Sequence, residues 1–341
     1  MTKRKRKKKL LIIIPSVILL MILVFSIYCY EKITSKINTT ESVELGIDKN
    51  NGINEIIQKF NEKGLLKPKW LFTIVTKSYA RLTGKFIFAG AYKFPATLTN
   101  GELVVALFNG KNLLVKKVTF PEGITINRFA SILQKQMNID SAYFVQLCYD
   151  QNFIKHLNIS ATNLEGYLIP ATFNFFVDVT AEKIIETLVQ EQKKVWQKYE
   201  NDAKKIGFDY HRTLTLASII EAETPVIDER KLVSGVYHNR LKKGMLLQAD
   251  PTVQYALGTQ KKRLLYSDLE IDNQYNTYKY ADLPPGPINS PSPSSIEAAV
   301  NPEESDYLFF VAVGDGSNRH NFSKNFTEHQ QQVDNFKKNR K

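Results

Sequence analysis

Cysteine and histidine, the residues that most often bind metals or form covalent links, are scarce in this sequence. It contains two cysteines and five histidines among 341 residues. No histidine falls in an HExxH pattern or pairs with a cysteine, so we expect no metal centre. Cys148 is the one cysteine beyond the apolar N-terminal run, and it lies among Phe144, Leu147 and Tyr149. These neighbours predict a buried small side chain without a disulfide partner, rather than a nucleophile.

Motifs that bind nucleotide cofactors or present a nucleophilic serine are also missing. There is no Walker motif, no GxGxxG and no serine elbow around Ser218, Ser234 or Ser290. We interpret Ser218 and Ser234 as small residues within their helices. The sequence therefore predicts no cofactor, and it disfavours catalysis by a serine nucleophile.

Excess positive charge is missing from the body of the chain, although the formal net charge at pH 7 is +12. Removing the charges of the two termini leaves about +1 for the rest, which disfavours a nucleic-acid partner. The terminal charges are carried by Lys3, Arg4, Lys5, Arg6, Lys7, Lys8 and Lys9, and by Lys337, Lys338, Arg340 and Lys341.

A charge-free, largely apolar run follows the N-terminal basic residues 1–9. Its span, residues 10–30, gives about 21 residues and roughly 31 Å of helix, enough to cross the hydrocarbon core of a bilayer. The run ends on bulky residues, unlike a signal-peptide cleavage site, and Tyr28 also argues against lipid attachment at Cys29. We expect an uncleaved single-pass anchor with its N-terminus in the cytoplasm and residues 31–341 outside the membrane.

Composition divides the remaining chain into three parts. Residues 31–42 are polar and are expected to form a short tether. Residues 43–120 are expected to form a small α+β module of short strands and helices, in which Thr99 and Glu102 have capping-box spacing. A Pro-Glu-Gly sequence then opens residues 121–341, a larger mixed domain. The predicted fold class is α+β, with one N-terminal transmembrane helix.

The stretch Leu214–Gly258 holds the strongest chemical candidate, Glu221. Leu216, Ile219 and Ile220 form an apolar helix face, and Glu221 follows it directly. Burial disfavours the charged form of a carboxyl, so we expect a protonated group that can act as a general acid. A merely solvated glutamate is the commoner outcome for this residue type.

A second glutamate, Glu223, is not expected to share a cleft with Glu221. Two positions along a helix correspond to about 200° of rotation, so the two side chains face apart. A two-carboxylate glycosidase pair made from them is therefore disfavoured. The helix is expected to end near Thr224, because Pro225 disfavours helical backbone in the residue before it.

Polar and aromatic loops follow the next predicted helix, in which Arg230, Asn239 and Arg240 lie off the apolar face. Amides, hydroxyls and aromatic rings in an ordered loop suit a sugar polymer. The same composition also fits a surface loop that packs on its own domain, and both interpretations stay open. The loops are Gln248-Ala249-Asp250-Pro251-Thr252, Tyr275-Asn276-Thr277-Tyr278 and Leu283-Pro284-Pro285-Gly286-Pro287-Ile288.

At these residues the chain resembles the endolytic murein transglycosylases, the MltG or YceG-like family. The resemblance covers about residues 122–329 and is strongest over 217–288. The small module, which contains Gly90-Ala91-Tyr92-Lys93-Phe94, looks like the LysM-like domain of that family. The matching motifs are Ala217-Ser218-Ile219-Ile220-Glu221-Ala222-Glu223-Thr224, E-R-K-L-V-S-G-V-Y-H-N-R-L, G-M-L-L-Q-A-D-P-T-V-Q-Y-A-L-G, Y-N-T-Y, L-P-P-G-P-I, Glu165-Gly166-Tyr167 and His320-Asn321-Phe322.

This resemblance implies a lyase that cuts peptidoglycan. Glu221 matches the catalytic glutamate of the family, and it would protonate the oxygen between N-acetylmuramic acid and N-acetylglucosamine. The resulting carboxylate would accept the proton of the muramoyl 6-hydroxyl, which closes on C1 to give a 1,6-anhydro end. Because the nucleophile belongs to the substrate, no second carboxylate is needed. The residues implied as cleft lining are Gln248, Asp250, Tyr275, Asn276 and Thr277.

The resemblance further implies that the enzyme trims new glycan strands beside the plasma membrane, terminates their elongation and works with cell-wall synthases. Two rival functions are kept. One is a hydrolase of the same bond, which differs by adding water. The other is a non-enzymatic scaffold that binds peptidoglycan through the small module.

Overall fold

The computed structural model describes residues 3–48 and 50–339, so the outermost residues of both predicted basic ends lie outside the described part. The described chain is a mixture of helices and short strands, which confirms the α+β class in its general form. It divides into two compact units. The first runs to Lys116 and includes Phe176–Asp178, and the second contains Lys117–Phe175 and the chain from Val179 onward.

The N-terminal helix, α1 (Lys3–Thr34), is longer than the predicted membrane run. Its segment Ile13–Thr34 is long and apolar enough to cross a membrane, by length and composition, with a mean hydropathy of 2.4. Pro15 lies inside this helix. Near the end of α1, Cys29 and Ile33 pack on the hydrophobic core of the first unit.

Residues 35–37, within the expected short tether 31–42, are bonded to the rest of the first unit. The backbone N–H of Ile37 donates to the Leu98 carbonyl at 2.9 Å, and that of Asn100 donates to the Ser35 carbonyl at 2.9 Å. The side chain of Ile37 is 3% exposed. The chain therefore enters the first unit without a flexible connection.

The first unit pairs two strands and packs three helices on them. Its elements after α1 are β1 (Val43–Ile47), α2 (Ile53–Glu62), α3 (Lys69–Thr83), β2 (Gly90–Phe94) and α4 (Asn100–Asn109). Strands β1 and β2 are antiparallel, with Val43 opposite Phe94. The predicted capping box is present, since Thr99 Oγ1 accepts from the Glu102 backbone N–H and the Glu102 carboxylate accepts from that of Thr99.

The second unit is mainly helical. Strand β3 (Val115–Thr119), which begins at the end of the first unit, pairs with β4 (Thr172–Phe176), and β5 (Phe309–Ala312) is antiparallel to β6 (His320–Ser323). The helices are α5 (Ile126–Met137), α6 (Ser141–Tyr149), α7 (Gln151–His156), α8 (Ala181–Lys205), α9 (Tyr210–Glu223), α10 (Arg230–Lys242), α11 (Asp250–Leu257), α12 (Pro293–Val300) and α13 (Phe326–Asn339). Short 3₁₀ turns cover Ile227–Glu229 and Tyr266–Glu270.

Helix α9 lies at the centre of the second unit. All eight residues from Thr213 to Ile220 are buried, so the helix is covered on every side. It packs against α8, α10, α11 and α12. A helix that is apolar all round is typical of a protein interior, and it gives the residues at its end a fixed position.

Truncation of this central helix should destabilise the second unit. Leu216 is 0% exposed, so Leu216→Ala is expected to lower the free energy of unfolding by about 2–5 kcal/mol through lost burial and a cavity. Urea unfolding of the detergent-solubilised chain, followed through Trp196 in a Trp70→Phe background, would measure this. Leu265→Ala, at a side chain 60% exposed, is the control and should change little. Equal effects of the two variants would contradict the central role of α9.

Candidate active site

The carboxylate of Glu221, in the last turn of α9, is held by an arginine and a serine. Arg230 Nη2 lies 2.9 Å from Glu221 Oε1, and Nη1 lies 3.2 Å from Oε2. Oε2 also accepts from the Ser292 backbone N–H at 2.9 Å and from its hydroxyl at 2.6 Å. The Arg230 and Glu221 side chains are only 4% and 5% exposed. This fork-to-fork pairing fixes both the position and the plane of the carboxylate.

Arg230 reaches Glu221 because the chain reverses direction between them. Helix α9 ends at Thr224, whose backbone is extended, as Pro225 after it predicted. Arg230 is the first residue of α10. The residue before it, Glu229, is buried and accepts from the His320 backbone N–H at 3.2 Å, while its carboxylate lies 2.9 Å from His320 Nδ1. The turn that presents Arg230 is thus tied to β6.

Ser292 approaches Glu221 from the other side, as the N-cap of α12. The first N–H groups of a helix lack partners within it, and the positive end of the helix dipole favours a negative charge there. Glu221 Oε2 supplies that charge at the Ser292 N–H. The hydroxyls of Ser292 and Ser294 also accept from Arg230 Nη1, so the arginine links the carboxylate to this helix end.

Two backbone segments complete the surroundings of Glu221. The Ile288 N–H donates to Ser218 Oγ at 3.0 Å, which places the loop before Ser292 along α9. The Gly123 N–H donates to the Ser290 carbonyl at 2.9 Å. Gly123 has φ +69°, and a β-carbon there would lie 3.6 Å from Glu221 Cγ. Ser218, interpreted from the sequence as a small helical residue, therefore also anchors this loop.

These contacts correct the expected surroundings of Glu221. We expected a carboxyl set among apolar side chains, whereas its oxygens face Arg230 and Ser292. A second carboxylate is also close, because Glu122 Oε2 lies 3.9 Å from Arg230 Nη2. The Glu122 side chain is 53% exposed, and its pKa is raised by burial and by repulsion from Glu221. Arg230 is therefore paired closely with Glu221 and more distantly with Glu122.

Glu223 has a separate environment, as its spacing from Glu221 predicted. Its Oε1 accepts from the Tyr237 hydroxyl at 2.7 Å. Burial raises the Glu223 pKa to about 7, with a further upward contribution from Asp250. Glu223 therefore does not join Glu221 at the Arg230 end of the site.

The loop residues expected to line a cleft fall into two groups. Gln248 and Asp250 are exposed, and the Tyr278 hydroxyl donates to Asp250 Oδ1 at 2.6 Å. Asn276 and Thr277 are 0% and 1% exposed. Asn276 Nδ2 donates to the carbonyls of residues 269 and 271, and Thr277 Oγ1 accepts from the backbone N–H of residue 249. These two residues hold the loops in shape, whereas the first two are available to a ligand.

Tyr275, the fifth of these residues, is partly buried. Its ring centroid lies 4.8 Å from that of Tyr255, and its hydroxyl oxygen lies 3.3 Å from where Gly286 would carry a β-carbon. It therefore packs against the proline-rich loop that leads to Ser292.

A buried cluster behind this loop explains the Glu-Gly-Tyr motif. A β-carbon at Gly166 would meet Pro287 at 2.4 Å, so only glycine fits there. The Tyr167 hydroxyl lies 2.7 Å from His211 Nδ1, and His211 Nε2 lies 2.8 Å from the Pro285 carbonyl. Glu165 accepts from the backbone N–H at the start of α5, and burial raises its pKa to about 8. The motif supports the loop rather than the reacting atoms.

Asn239 and Arg240, which lie off the predicted apolar face of their helix, connect α10 to neighbouring loops. Asn239 Nδ2 donates to the carbonyls of residues 305 and 307, and Arg240 donates to those of residues 246, 247 and 308.

Within residues 3–48 and 50–339, no group of three or more His, Cys, Asp or Glu residues could hold a metal ion. The geometry around Glu221 suits proton transfer by one oriented carboxyl.

Glu223 should make the stability of the second unit depend on pH. Its folded-state pKa of about 7 exceeds the ordinary value of 4.5, so its contribution is full below pH 4.5 and is lost as pH rises through 7. Relative to Glu223→Gln, the wild type should lose on the order of 2 kcal/mol of unfolding free energy between pH 5 and pH 8. Urea titrations at both pH values would measure this, with exposed Glu304→Gln as control. Parallel curves for wild type and Glu223→Gln would contradict the assignment.

Comparison with known proteins agrees with these motifs. The model of the YceG-like family matches residues 45–335. The chain is 33% identical over 304 residues to a Bacillus subtilis (strain 168) protein named endolytic murein transglycosylase, covering 84% of this chain and 83% of that protein. A Streptococcus pneumoniae serotype 2 (strain D39 / NCTC 7466) protein of the same name is 28% identical over 328 residues, covering 86% and 59%.

Solved structures give the same result. The crystal structure of a YceG-like protein from Listeria monocytogenes matches with a TM-score of 0.60 at 34% sequence identity, covering 86% of this chain and 99% of that one. The resemblance first indicated by the motifs around Glu221 is confirmed, and the chain belongs to the YceG-like family.

Proposed function

We propose that this chain is a membrane-anchored endolytic transglycosylase that cuts peptidoglycan glycan strands and leaves 1,6-anhydro-N-acetylmuramic acid ends. The expected enzyme class, a lyase of the lytic transglycosylase type, is confirmed by the names of its relatives. The observation that carries the specific chemistry is the carboxyl of Glu221, whose two oxygens are oriented by Arg230 and Ser292.

In this mechanism Glu221 acts first as an acid and then as a base. Its proton passes to the glycosidic oxygen while the bond from that oxygen to C1 of N-acetylmuramic acid breaks. The carboxylate then takes the proton of the 6-hydroxyl as O6 bonds to C1, so no water is consumed. Arg230 and Ser292 keep the Glu221 carboxyl in one position through both steps, by the hydrogen bonds that its two oxygens accept.

Substrate contacts are assigned by exposure. Gln248 and Asp250 are exposed while the residues between and before them, Ala249 and Leu247, are buried, so the Gln248 amide and the Asp250 oxygen that does not accept from Tyr278 can bind sugar hydroxyl and acetamido groups. Tyr275 offers a partly exposed ring for stacking on a sugar face. Asn276 and Thr277 act one step away, by fixing this loop.

The anchor would keep the enzyme at the membrane surface. The span Ile13–Thr34 and the basic residues before it support a single-pass helix with a cytoplasmic N-terminus. Such a chain would cut new strands near their site of synthesis, terminate elongation and meet cell-wall synthases there. The first unit, with its LysM-like sequence, is proposed to bind glycan.

Replacing the acid should abolish cutting. Glu221→Gln keeps the shape of the side chain but removes its proton transfer, which typically contributes 10²–10⁴-fold to rate. We expect at least a hundredfold fewer new ends when the full chain in proteoliposomes is incubated with purified peptidoglycan and the products are weighed by mass spectrometry. Exposed Glu304→Gln should cut like the wild type. A Glu221→Gln protein that kept cutting would exclude this mechanism.

The same assay tests the scaffold alternative. If the wild type binds peptidoglycan but makes no new ends, the scaffold function is favoured. If binding survives Glu221→Gln while cutting is lost, the lyase and a separate binding function are both supported.

Glu122 gives the hydrolase a specific observation in its favour, since a second carboxylate near Glu221 could activate water. The two chemistries differ in product mass by one water. For the lyase, Glu122→Gln should leave the anhydro ends in place and change the rate by less than about tenfold. Reducing ends from the wild type, lost in Glu122→Gln, would identify the hydrolase.

A further inference from the structure

We propose that the outward face of α3 docks on the anionic lipid surface of the membrane that α1 enters. This inference rests on the proposed membrane anchor. The docking stripe consists of Trp70, Ile74, Lys77 and Arg81, all exposed. It extends the contact with the bilayer from the anchor helix to a second helix of the first unit.

The first unit is fixed to the last turns of α1. Gly101 of α4 packs so closely on Ile33 that a β-carbon there would lie 3.0 Å from Ile33 Cγ2 and 3.2 Å from its carbonyl oxygen. Asn100 Nδ2 donates to the Lys32 carbonyl and to Ser35 Oγ, both at 3.1 Å. These contacts hold the position of the unit relative to the anchor.

One contact places the start of α3 beside the apolar span. The rings of Phe25 and Trp70 are stacked, with centroids 5.8 Å apart and an interplanar angle of 14°. Phe25 lies inside the span Ile13–Thr34, roughly 13 Å along the helix from Thr34. Because the first unit covers Cys29 and Ile33, the lipid-covered part of α1 ends before them, and Phe25 lies within roughly 6 Å of that end. Trp70, stacked on Phe25, is therefore near the interface between hydrocarbon and headgroups, which tryptophan prefers.

The rest of the stripe has the order expected of such an interface. Its four residues have i, i+4, i+7 and i+11 spacing, so they share one face of α3, while Leu71, Phe72 and Thr76 are buried on the other side. Trp70 and Ile74 are 46% and 57% exposed. Apolar residues at one end and cations at the other are typical of a helix that lies in a lipid interface.

Charge selects an anionic surface. Residues 67–85 contain no aspartate or glutamate but five basic residues: Lys67, Lys69, Lys77, Arg81 and Lys85. In the described part of the chain, no ion pair involves Lys77 or Arg81. Both cations are therefore available to lipid headgroups.

An open cavity adjoins the stripe and adds room for the headgroup layer. Its volume is about 970 Å³, and Ile74, Lys77 and Arg81 form part of its lining. Phe86, 87% exposed, lies at the same cavity and can insert between lipids. The cavity thus combines apolar walls with cationic groups, and the carboxylate of Asp48, which also lines it, is paired with Lys59.

Site-directed spin labelling of the full chain in vesicles tests this inference. Ser78 lies beside the stripe and is exposed, so Ser78→Cys, in a Cys29→Ser and Cys148→Ala background, would carry the label. Its collisions with oxygen, which concentrates in lipid, and with a water-soluble nickel chelate report its surroundings. With vesicles that contain one third phosphatidylglycerol, we expect the label to lie at the interface between the hydrocarbon core and the headgroups. A label fully in water in these vesicles would overturn the proposal.

Charge neutralisation sharpens this test. Lys77→Gln with Arg81→Gln should lower the ratio of docked to undocked label roughly 30-fold. Vesicles of phosphatidylcholine alone, which carry no net charge, should lower this ratio for the unsubstituted chain, but by less. Lys63→Gln with Lys111→Gln removes the same charge elsewhere in the first unit and should leave docking intact. An equal loss of docking in the two double variants would overturn the assignment to α3. A label at position 78 that stays in water when vesicles are present, but is immobilised by soluble peptidoglycan fragments, would overturn it as well.

A second label separates this proposal from the anchor on which it rests. Leu20→Cys places the label in the middle of the apolar run of residues 10–30. A label at this position that collides with the nickel chelate as in water would overturn the anchor and docking together. A lipid-exposed label at position 20 with a hydrated one at position 78 would overturn docking alone.

Discussion

The ion pair between Glu221 and Arg230 is the interaction on which the arrangement of the second unit depends. Taking two charges out of water costs several kcal/mol per ion, and only close geometry with further hydrogen bonds offsets that cost. Ser292 and Ser294 supply those bonds, and the N-terminus of α12 adds a favourable dipole. The pair is stable only if α9, α10 and α12 meet at one place.

Several features far from the reacting atoms follow from this constraint. The Glu229–His320 contact fixes the turn before Arg230, and the glycine at position 166 lets Pro287 approach closely. Ser218 binds the loop before Ser292 from within α9. Each contact reduces the freedom of one segment that carries a partner of Glu221. Preorganised groups of this kind need no rearrangement during reaction, which is how a polar site lowers a barrier.

Local patterns predicted the parts of the structure that local physics decides. Period-3.6 apolar spacing located α9, the Thr99 capping box located the start of α4, and Pro225 located the end of α9, since each depends on a few neighbouring residues. The partners of Glu221 could not be found this way. Arg230 is nine residues away across a turn and Ser292 is seventy-one away, so the pattern around Glu221 suggested an apolar environment. The burial of Asn276 and Thr277 could not be predicted for the same reason, because their partners are backbone groups of other segments.

The direct passage of α1 into the first unit also changes what kind of attachment the chain has. Twelve free residues would let a domain wander over roughly 20 Å, and its encounter with any surface would be a matter of chance and linker length. Here the bonds of Ile37 and Asn100 remove that freedom. The first unit is therefore joined rigidly to the last turns of α1. With the proposed membrane anchor, these contacts would set the orientation of the unit to the membrane as well as its distance.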